Sequence, residues 1–164
     1  MLKLFLPDRQ IEHYYDLRPE DLKAKGVRLL IADIDNTLVP YADRVPTTDV
    51  KRWISDFQAA GVAVALLSNN NRERVELFNS ELGVFALHKS GKPKRSAVEK
   101  VLDELKIPAS EAALLGDQLF TDVLCGRRAG VYTVLTDRIN DKESFFIKLK
   151  RLLEIPIRKI LGIK

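Results

Sequence analysis

The chain has 164 residues, 46% hydrophobic and 30% charged, with a formal net charge of +4. That length suits one domain that buries roughly two thirds of its unfolded surface, so folding needs no disulfide or structural metal. The composition excludes disordered and fibrous classes, no apolar run reaches the ~18 residues of a membrane span, and the single cysteine, Cys125, excludes a disulfide framework or a multi-cysteine zinc site.

Taken in chain order, Met1-Leu2-Lys3-Leu4-Phe5-Leu6 meets Pro7 too soon to supply the ~7–15 apolar residues of a signal peptide. A reducing, cytoplasmic compartment is therefore expected. Residues 1–26 read as a lead-in to a domain that extends to residue 141. Five short apolar runs bounded by turn signals read as buried strands: residues 27–33, 62–68, 84–88, 112–116 and 131–135. Between them, Val50, Trp53, Ile54 and Phe57 recur at helical spacing after the cap candidates Thr47, Thr48 and Asp49. A second stripe, Val75, Phe78 and Leu82, stops at Gly83. A third, Ala97, Val101, Leu102 and Leu105, stops before Pro108. A fourth helix is expected over 119–129, ending at Gly130. Strands alternating with helices predict a parallel sheet of right-handed βαβ units, buried on both faces.

The last segment, residues 142–164, holds seven Lys/Arg against two Glu, a net +5, which leaves residues 1–141 at −1. Phe145, Phe146, Leu149, Leu152 and Leu153 recur at 3–4 residue spacing, Pro156 is expected to interrupt them, and Ile157, Ile160, Leu161 and Ile163 resume the pattern. Interleaved basic residues make this an amphipathic segment suited to an anionic membrane surface. The competing expectation is a final helix packed on the sheet, with a solvated basic face.

In a sheet of this kind ligands bind outside the carboxyl ends of the strands. Those positions here carry Asp33-Ile34-Asp35-Asn36-Thr37, Ser68-Asn69-Asn70, Lys92-Pro93 and Gly116-Asp117-Gln118-Leu119-Phe120-Thr121-Asp122. Four carboxylates converging on one crevice call for a hard divalent cation with oxygen ligands, Mg²⁺ foremost. Ser68, the backbone near Asn69, and Lys92 suit an anion. A cation on one side and donors on the other is an arrangement for phosphoryl transfer. Asn70 and Asn71 read as helix caps, Cys125 as core, Tyr14 and Tyr15 as packing residues, and His13 and His88 as structural.

The run DIDNTLV resembles the first motif, DxDx(T/V), of the haloacid dehalogenase superfamily of aspartate-nucleophile phosphatases. LLSNN resembles its second, GKPK its third and GDQLFTD its fourth, in the same order and over roughly residues 27–137. Pro7, DNTLVP and TDRIN are similar to the YqeG-type branch of subfamily IIIA, itself similar to mitochondrial phosphatidylglycerophosphate phosphatases. The resemblance implies a three-layer, Rossmann-like α/β fold with a five-stranded parallel sheet. It also implies Asp33 as nucleophile and Asp35 as general acid and base, with Asp35 also meeting the metal through its carbonyl. Asp117 would ligate Mg²⁺, and Asp122 would ligate it or orient Asp117. Ser68 and Asn69 would bind phosphoryl oxygens, Lys92 would neutralise nucleophile and phosphate, and Thr37 would brace the first loop and border the substrate.

Many members insert a cap domain after the first or second motif. Here Thr37 to Ser68 spans 31 positions and Ser68 to Lys92 spans 24, too few for one. An uncapped site implies a bulky substrate, with phosphatidylglycerophosphate leading and a nucleic-acid end or a phosphoprotein as alternatives. A non-catalytic module whose basic tail meets RNA or protein is the reading from another class. Peripheral contact with an anionic membrane is expected, and nucleic acid is the less favoured partner.

Overall fold

The computed structural model describes residues 2–140 and 145–163, the side chains of residues 145, 146, 150 and 151 excepted. The expected boundary between residues 141 and 142, the charges of Lys142, Glu143 and Lys164, and the packing of Phe145, Phe146, Lys150 and Arg151 lie outside the described residues.

The strands are β1 (Arg9–Ile11), β2 (Leu29–Ala32), β3 (Ala63–Leu67), β4 (Phe85–Leu87), β5 (Ala112–Gly116) and β6 (Tyr132–Thr136). They form one parallel sheet in the order β1-β6-β5-β2-β3-β4. The sheet thus has six strands, not the expected five. The additional strand is an edge of three residues, with only Ile11 apolar. It has no apolar run to announce it because it pairs with β6 alone. Asp8 fixes it in place: its carboxylate accepts from the backbone N–H of Thr133 at 2.8 Å and pairs with Arg127 at 2.6 Å.

The helices are α1 (Pro19–Lys23), α2 (Thr48–Ala59), α3 (Arg72–Asn79), α4 (Ser96–Leu105), α5 (Leu124–Ala129) and α6 (Phe145–Leu161). Residue alternation along the strands divides the core into two layers. Leu30, Ala32, Val64, Leu66, Ala113 and Leu115 pack with Val50, Ile54 and Phe57 of α2. Leu29, Ile31, Ala65, Leu67, Ala112 and Leu114 pack with Ala97, Val98 and Val101 of α4 and Cys125 of α5. Cys125 is core, and burial pushes its thiol up to about 11. Thr47 caps α2 by accepting from the N–H of Val50, and Asn71 caps α3 by accepting from that of Arg74.

Two expectations about helices change. The segment 119–129 is not one α-helix: a π-helical turn, Leu119–Val123, precedes α5. Pro156 does not interrupt α6, which runs through it. The carbonyl that proline leaves without its usual donor is that of Leu152, a residue on the exposed side of the helix, where the loss of the N–H costs least.

The order reverses between β2 and β5: the chain moves outward from β2 to β4, then returns to the other side of β2. That switch point is where an open α/β sheet parts its loops into a crevice. Between β2 and β3 lie only a loop and α2; between β3 and α4, only α3, β4 and loops. Among the described residues no cap domain stands over the crevice.

Candidate active site

β2 ends at Ala32 and β5 at Gly116, so Asp33 and Asp117 leave the sheet side by side, with the N–H of Asp33 donating to the carbonyl of Leu115 at 2.9 Å. After Asp33 the chain folds back at once. Asn36 takes a left-handed conformation (φ 62°) that its short polar side chain tolerates. The turn carries Thr37 beneath the two carboxylates, its hydroxyl 3.2 Å from Asp33 Oδ2 and 3.3 Å from Asp117 Oδ1.

Lys92 arrives from the loop after β4. Asn69 clips that loop: its carbonyl oxygen accepts from the N–H of Lys92 at 2.9 Å and its amide donates to the Lys92 carbonyl at 3.0 Å. Lys92 Nζ then lies 2.7 Å from Asp33 Oδ1 and 2.7 Å from Asp122 Oδ1. Burial acts to lower the Lys92 pKa, but the carboxylates of Asp122 and Asp33 outweigh it, and the ammonium is held above its ordinary value. Asp122 is folded back by the π-helical turn, where its Oδ2 accepts from the N–H of Gln118 at 3.1 Å. Gly116 makes room for it: a Cβ there would stand 2.2 Å from Asp122 Cγ.

Asp33, Asp117 and Asp122 are all buried, and each presents an oxygen within 4.8 Å of the others. If ionised, the three carboxylates and Lys92 together carry two negative charges in excess. Burial pushes the Asp33 carboxyl up to about 8; Lys92 opposes the rise, and the Asp122 and Asp117 charges add to it. A divalent cation would relieve this excess, and an all-oxygen donor set is one that Mg²⁺ prefers. The residues fit such an ion.

Asp35 does not join that cluster through its carboxylate. Its Oδ1 accepts from Arg74 Nη2 at 2.9 Å and Nε at 3.2 Å, and its Oδ2 from Asn70 at 3.1 Å. Arg74 is itself buried, donates to the Arg44 carbonyl at 2.8 Å and lies over the Phe78 ring. Asp33, Asp35, Ser68, Asn69 and Lys92 nevertheless line one cavity of about 250 Å³, together with Tyr41, Gln118 and Ile147 of α6. Ser68 Oγ accepts from the N–H of Asn70 at 3.0 Å, which fixes the turn that faces the cavity.

The structure thus places every candidate site residue from the sequence at this crevice or directly behind it, but sorts them. Asp33, Asp35, Ser68, Asn69 and Lys92 face the cavity; Thr37, Asp117 and Asp122 are buried behind its lining. Asn71 is the helix cap, whereas Asn70 holds Asp35. Two participants escaped the sequence reading. An arginine on a helix reads as a solvated charge, so nothing flagged Arg74. Glu154 reads as one of two solvated acids in a basic tail, yet it is buried and accepts from the Phe120 N–H at 3.2 Å, inside the segment that joins Asp117 to Asp122.

The family model described as haloacid dehalogenase-like hydrolase matches residues 8–130. The probable phosphatase YqeG of Bacillus subtilis (strain 168) is 34% identical over 160 residues, covering 98% of this chain and 91% of that protein. Phosphatidylglycerophosphate phosphatase 1 of Arabidopsis thaliana, chloroplastic/mitochondrial, is 29% identical over 153 residues; the match takes in 85% of this chain but 43% of that longer protein. Among solved structures, the cobalt-bound deoxy-D-mannose-octulosonate 8-phosphate phosphatase of Haemophilus influenzae superposes with a TM-score of 0.56 at 16% identity, over 85% of this chain and 92% of that one. The 3-deoxy-D-manno-octulosonate 8-phosphate phosphatase of Moraxella catarrhalis, in complex with magnesium, phosphate and sugar, superposes with a TM-score of 0.53 at 17% identity, over 89% and 90%. These structures share the fold. By its family model and by its close relative, this chain belongs to the haloacid dehalogenase-like hydrolase family and is an enzyme of it, a phosphoric monoester hydrolase.

Proposed function

We propose that the enzyme hydrolyses phosphatidylglycerophosphate with Mg²⁺ as its ion, through an aspartyl-phosphate on Asp33. The observation that carries the chemistry is the Asp33 carboxylate, held between Lys92 and Thr37 on the cavity wall, with Asp117 and Asp122 behind it. In the first step an oxygen of Asp33 attacks phosphorus and the ester P–O bond breaks. The leaving alkoxide takes its proton from Asp35. In the second step Asp35 accepts a proton from water as that water attacks phosphorus, the acyl-phosphate P–O bond breaks, and Asp33 is regenerated with release of inorganic phosphate. Lys92 balances charge on Asp33 and on the phosphoryl group, and Ser68 and the Asn69 backbone orient its oxygens. When bound at Asp33, Asp117 and the Asp35 carbonyl, with Asp122 beside them, Mg²⁺ would neutralise charge on the transferring phosphoryl group.

Size and exposure support this choice of substrate. Drug-sized ligands occupy pockets of ~300–1,000 Å³, and this cavity is about 250 Å³. It suits a glycerophosphate end and leaves the rest of a diacyl lipid outside. Among the described residues no cap domain covers it, which favours a substrate whose own bulk excludes water. A relative named for phosphatidylglycerophosphate supports the same choice. The test is phosphate release, with Mg²⁺ and with EDTA, from phosphatidylglycerophosphate in micelles, a phosphorylated oligonucleotide and a phosphopeptide. Mg²⁺-dependent release from the lipid above the other two is expected. Preferential release from either competitor overturns the substrate, as does no release from the lipid.

A further inference from the structure

The expectations for the C-terminal segment set a membrane-surface helix against a helix packed on the domain. Its two faces divide between them. On one face Glu154 is buried and accepts from the Phe120 N–H, while Ile157, Leu161 and Ile163 pack on Leu119, Val123 and Leu135. Ile147, about two turns before Glu154 on the same face, lines the cavity that holds Asp33 and Lys92. On the other face Leu149, Leu152, Leu153, Pro156 and Ile160 recur at 3–4 residue spacing and are exposed, Leu152 by 62% and Ile160 by 68%. Soluble monomers rarely present so continuous an apolar stripe without a partner.

We propose that this outer face of α6 docks on an anionic lipid bilayer, which brings the crevice within about one helix diameter (~10–12 Å) of the headgroups. Charge selects the occupant. Lys148 and Lys159 are exposed beside the stripe, and the segment 142–164 carries a net +5 against −1 for the rest of the chain. A second copy of this chain would bring the same positive charge to the same face and be repelled, whereas an anionic surface attracts it. The 3-10 turn Leu2–Phe5 lies alongside α6 and exposes Leu2 and Leu4, adding apolar surface at the same end, where Phe5 stacks edge-on against Phe120. Apolar side chains entering the headgroup boundary with lysines at their flank is the geometry of an interfacial helix. Because the opposite face of α6 borders the cavity, docking holds the site within about one helix diameter (~10–12 Å) of the surface where a phospholipid substrate resides. The inference deepens the phosphatidylglycerophosphate reading and rests on it.

The experiment is co-sedimentation of the full chain with vesicles of phosphatidylglycerol and phosphatidylcholine, against phosphatidylcholine alone, together with turnover of p-nitrophenyl phosphate and of phosphatidylglycerophosphate in those vesicles. Three proteins are compared: wild type, Leu152→Glu/Leu153→Glu, and Lys148→Glu/Lys159→Glu. Wild type should bind the anionic vesicles and release from them as salt rises, since the Debye length falls from about 10 Å at 0.1 M to about 3 Å at 1 M. Each variant should bind on the order of tenfold more weakly or worse and turn over vesicle lipid correspondingly more slowly, with p-nitrophenyl phosphate hydrolysis unchanged. Wild-type-like vesicle binding by both variants overturns the proposal, as does a wild type that ignores anionic vesicles. A concentration-dependent dimer that the leucine variants dissociate overturns it in favour of self-association. Loss of lipid turnover with intact vesicle binding and intact p-nitrophenyl phosphate turnover would instead count against the substrate.

Discussion

At the ends of β2 and β5 the polar groups are buried, Asp35 partly so, and each is tied to a named partner: Lys92 to Asp33 and Asp122, Thr37 to Asp33 and Asp117, Asp35 to Arg74. Along the outer face of α6 the pattern is inverted, with leucines in solvent and lysines beside them. The two regions are neighbours, yet they answer to different constraints. In the crevice, geometry is over-determined, so a single substitution disturbs both charge and fold. On the outer face of α6 a side chain is supported by nothing but its own helix. Substitutions there should be silent in solution and register only at a surface.

The largest effect is expected at Asp33. Asp33→Asn keeps the shape but cannot form an acyl-phosphate, so turnover should fall to background; residual activity above roughly a tenth of wild type, with deamidation excluded by mass, would remove Asp33 as nucleophile. Asp35→Asn should lose ~10²–10⁴-fold on an alkyl phosphate and less on p-nitrophenyl phosphate, whose leaving group needs no proton. Arg74→Ala should shift the same ratio in the same direction, because it frees the Asp35 carboxylate from its two-point contact. Equal losses on both substrates would assign Arg74 to folding alone.

Next in size is the stability of the cluster. Lys92→Met leaves Asp33 and Asp122 buried without their cation, and breaking a buried pair costs about 3–5 kcal/mol. For a chain of this length that corresponds to a melting temperature lower by about 10 °C. A melting temperature within ~2 °C of wild type would show that the cluster relaxes at little cost.

The pH dependence has a defined sign. Asp33, pushed up to about 8, holds a proton in the native state that the unfolded chain gives up near pH ~4. The native state therefore binds more protons between those values, and this contribution makes the metal-free protein less stable as pH rises from about 4 to about 8. In EDTA the stability of Asp33→Asn relative to wild type should rise across that range. Because a bound Mg²⁺ requires the ionised carboxylate, its stabilising effect on wild type should also grow with pH. A difference between the two proteins that is flat from pH 5 to pH 8 would contradict the raised value.

The smallest effect should lie on the outer face of α6, in contrast to the buried residue just past its end. Ile163→Ala, buried against Leu119 and Leu135, should cost about 2–4 kcal/mol, whereas Leu153→Ala, exposed, should change stability by less than ~0.5 kcal/mol. Comparable losses at both positions would mean that the outer face is covered in solution.

Much of the crevice was legible before folding, for a physical reason. A parallel sheet delivers its strand ends to one edge, so Asp33, Ser68 and Asp117 announced themselves as polar residues closing apolar runs. Lys92 could be placed nearby from its loop, although not its position between Asp33 and Asp122. What the sequence concealed depends on contacts between distant elements. Strand β1 is set by its pairing with β6 and by Asp8, not by apolar content. Arg74 and Glu154 look like surface charges until α3 and α6 are packed. The π-helical turn follows from Asp122 folding back against Gly116, which no periodicity records. Pro156 signals a break by its chemistry alone; its position on the exposed side of α6 decides otherwise.

The most direct test of the account is to trap the phosphoenzyme. Wild-type enzyme mixed with Mg²⁺ and phosphate ester, quenched in acid within one turnover and digested, should yield a phosphorylated peptide spanning Asp33. Its phosphate should be lost to hydroxylamine as an acyl-phosphate is, and the peptide should be absent from Asp33→Asn. Phosphate on a different residue, or full turnover with no phosphorylated peptide at any quench time, would contradict the assignment of Asp33.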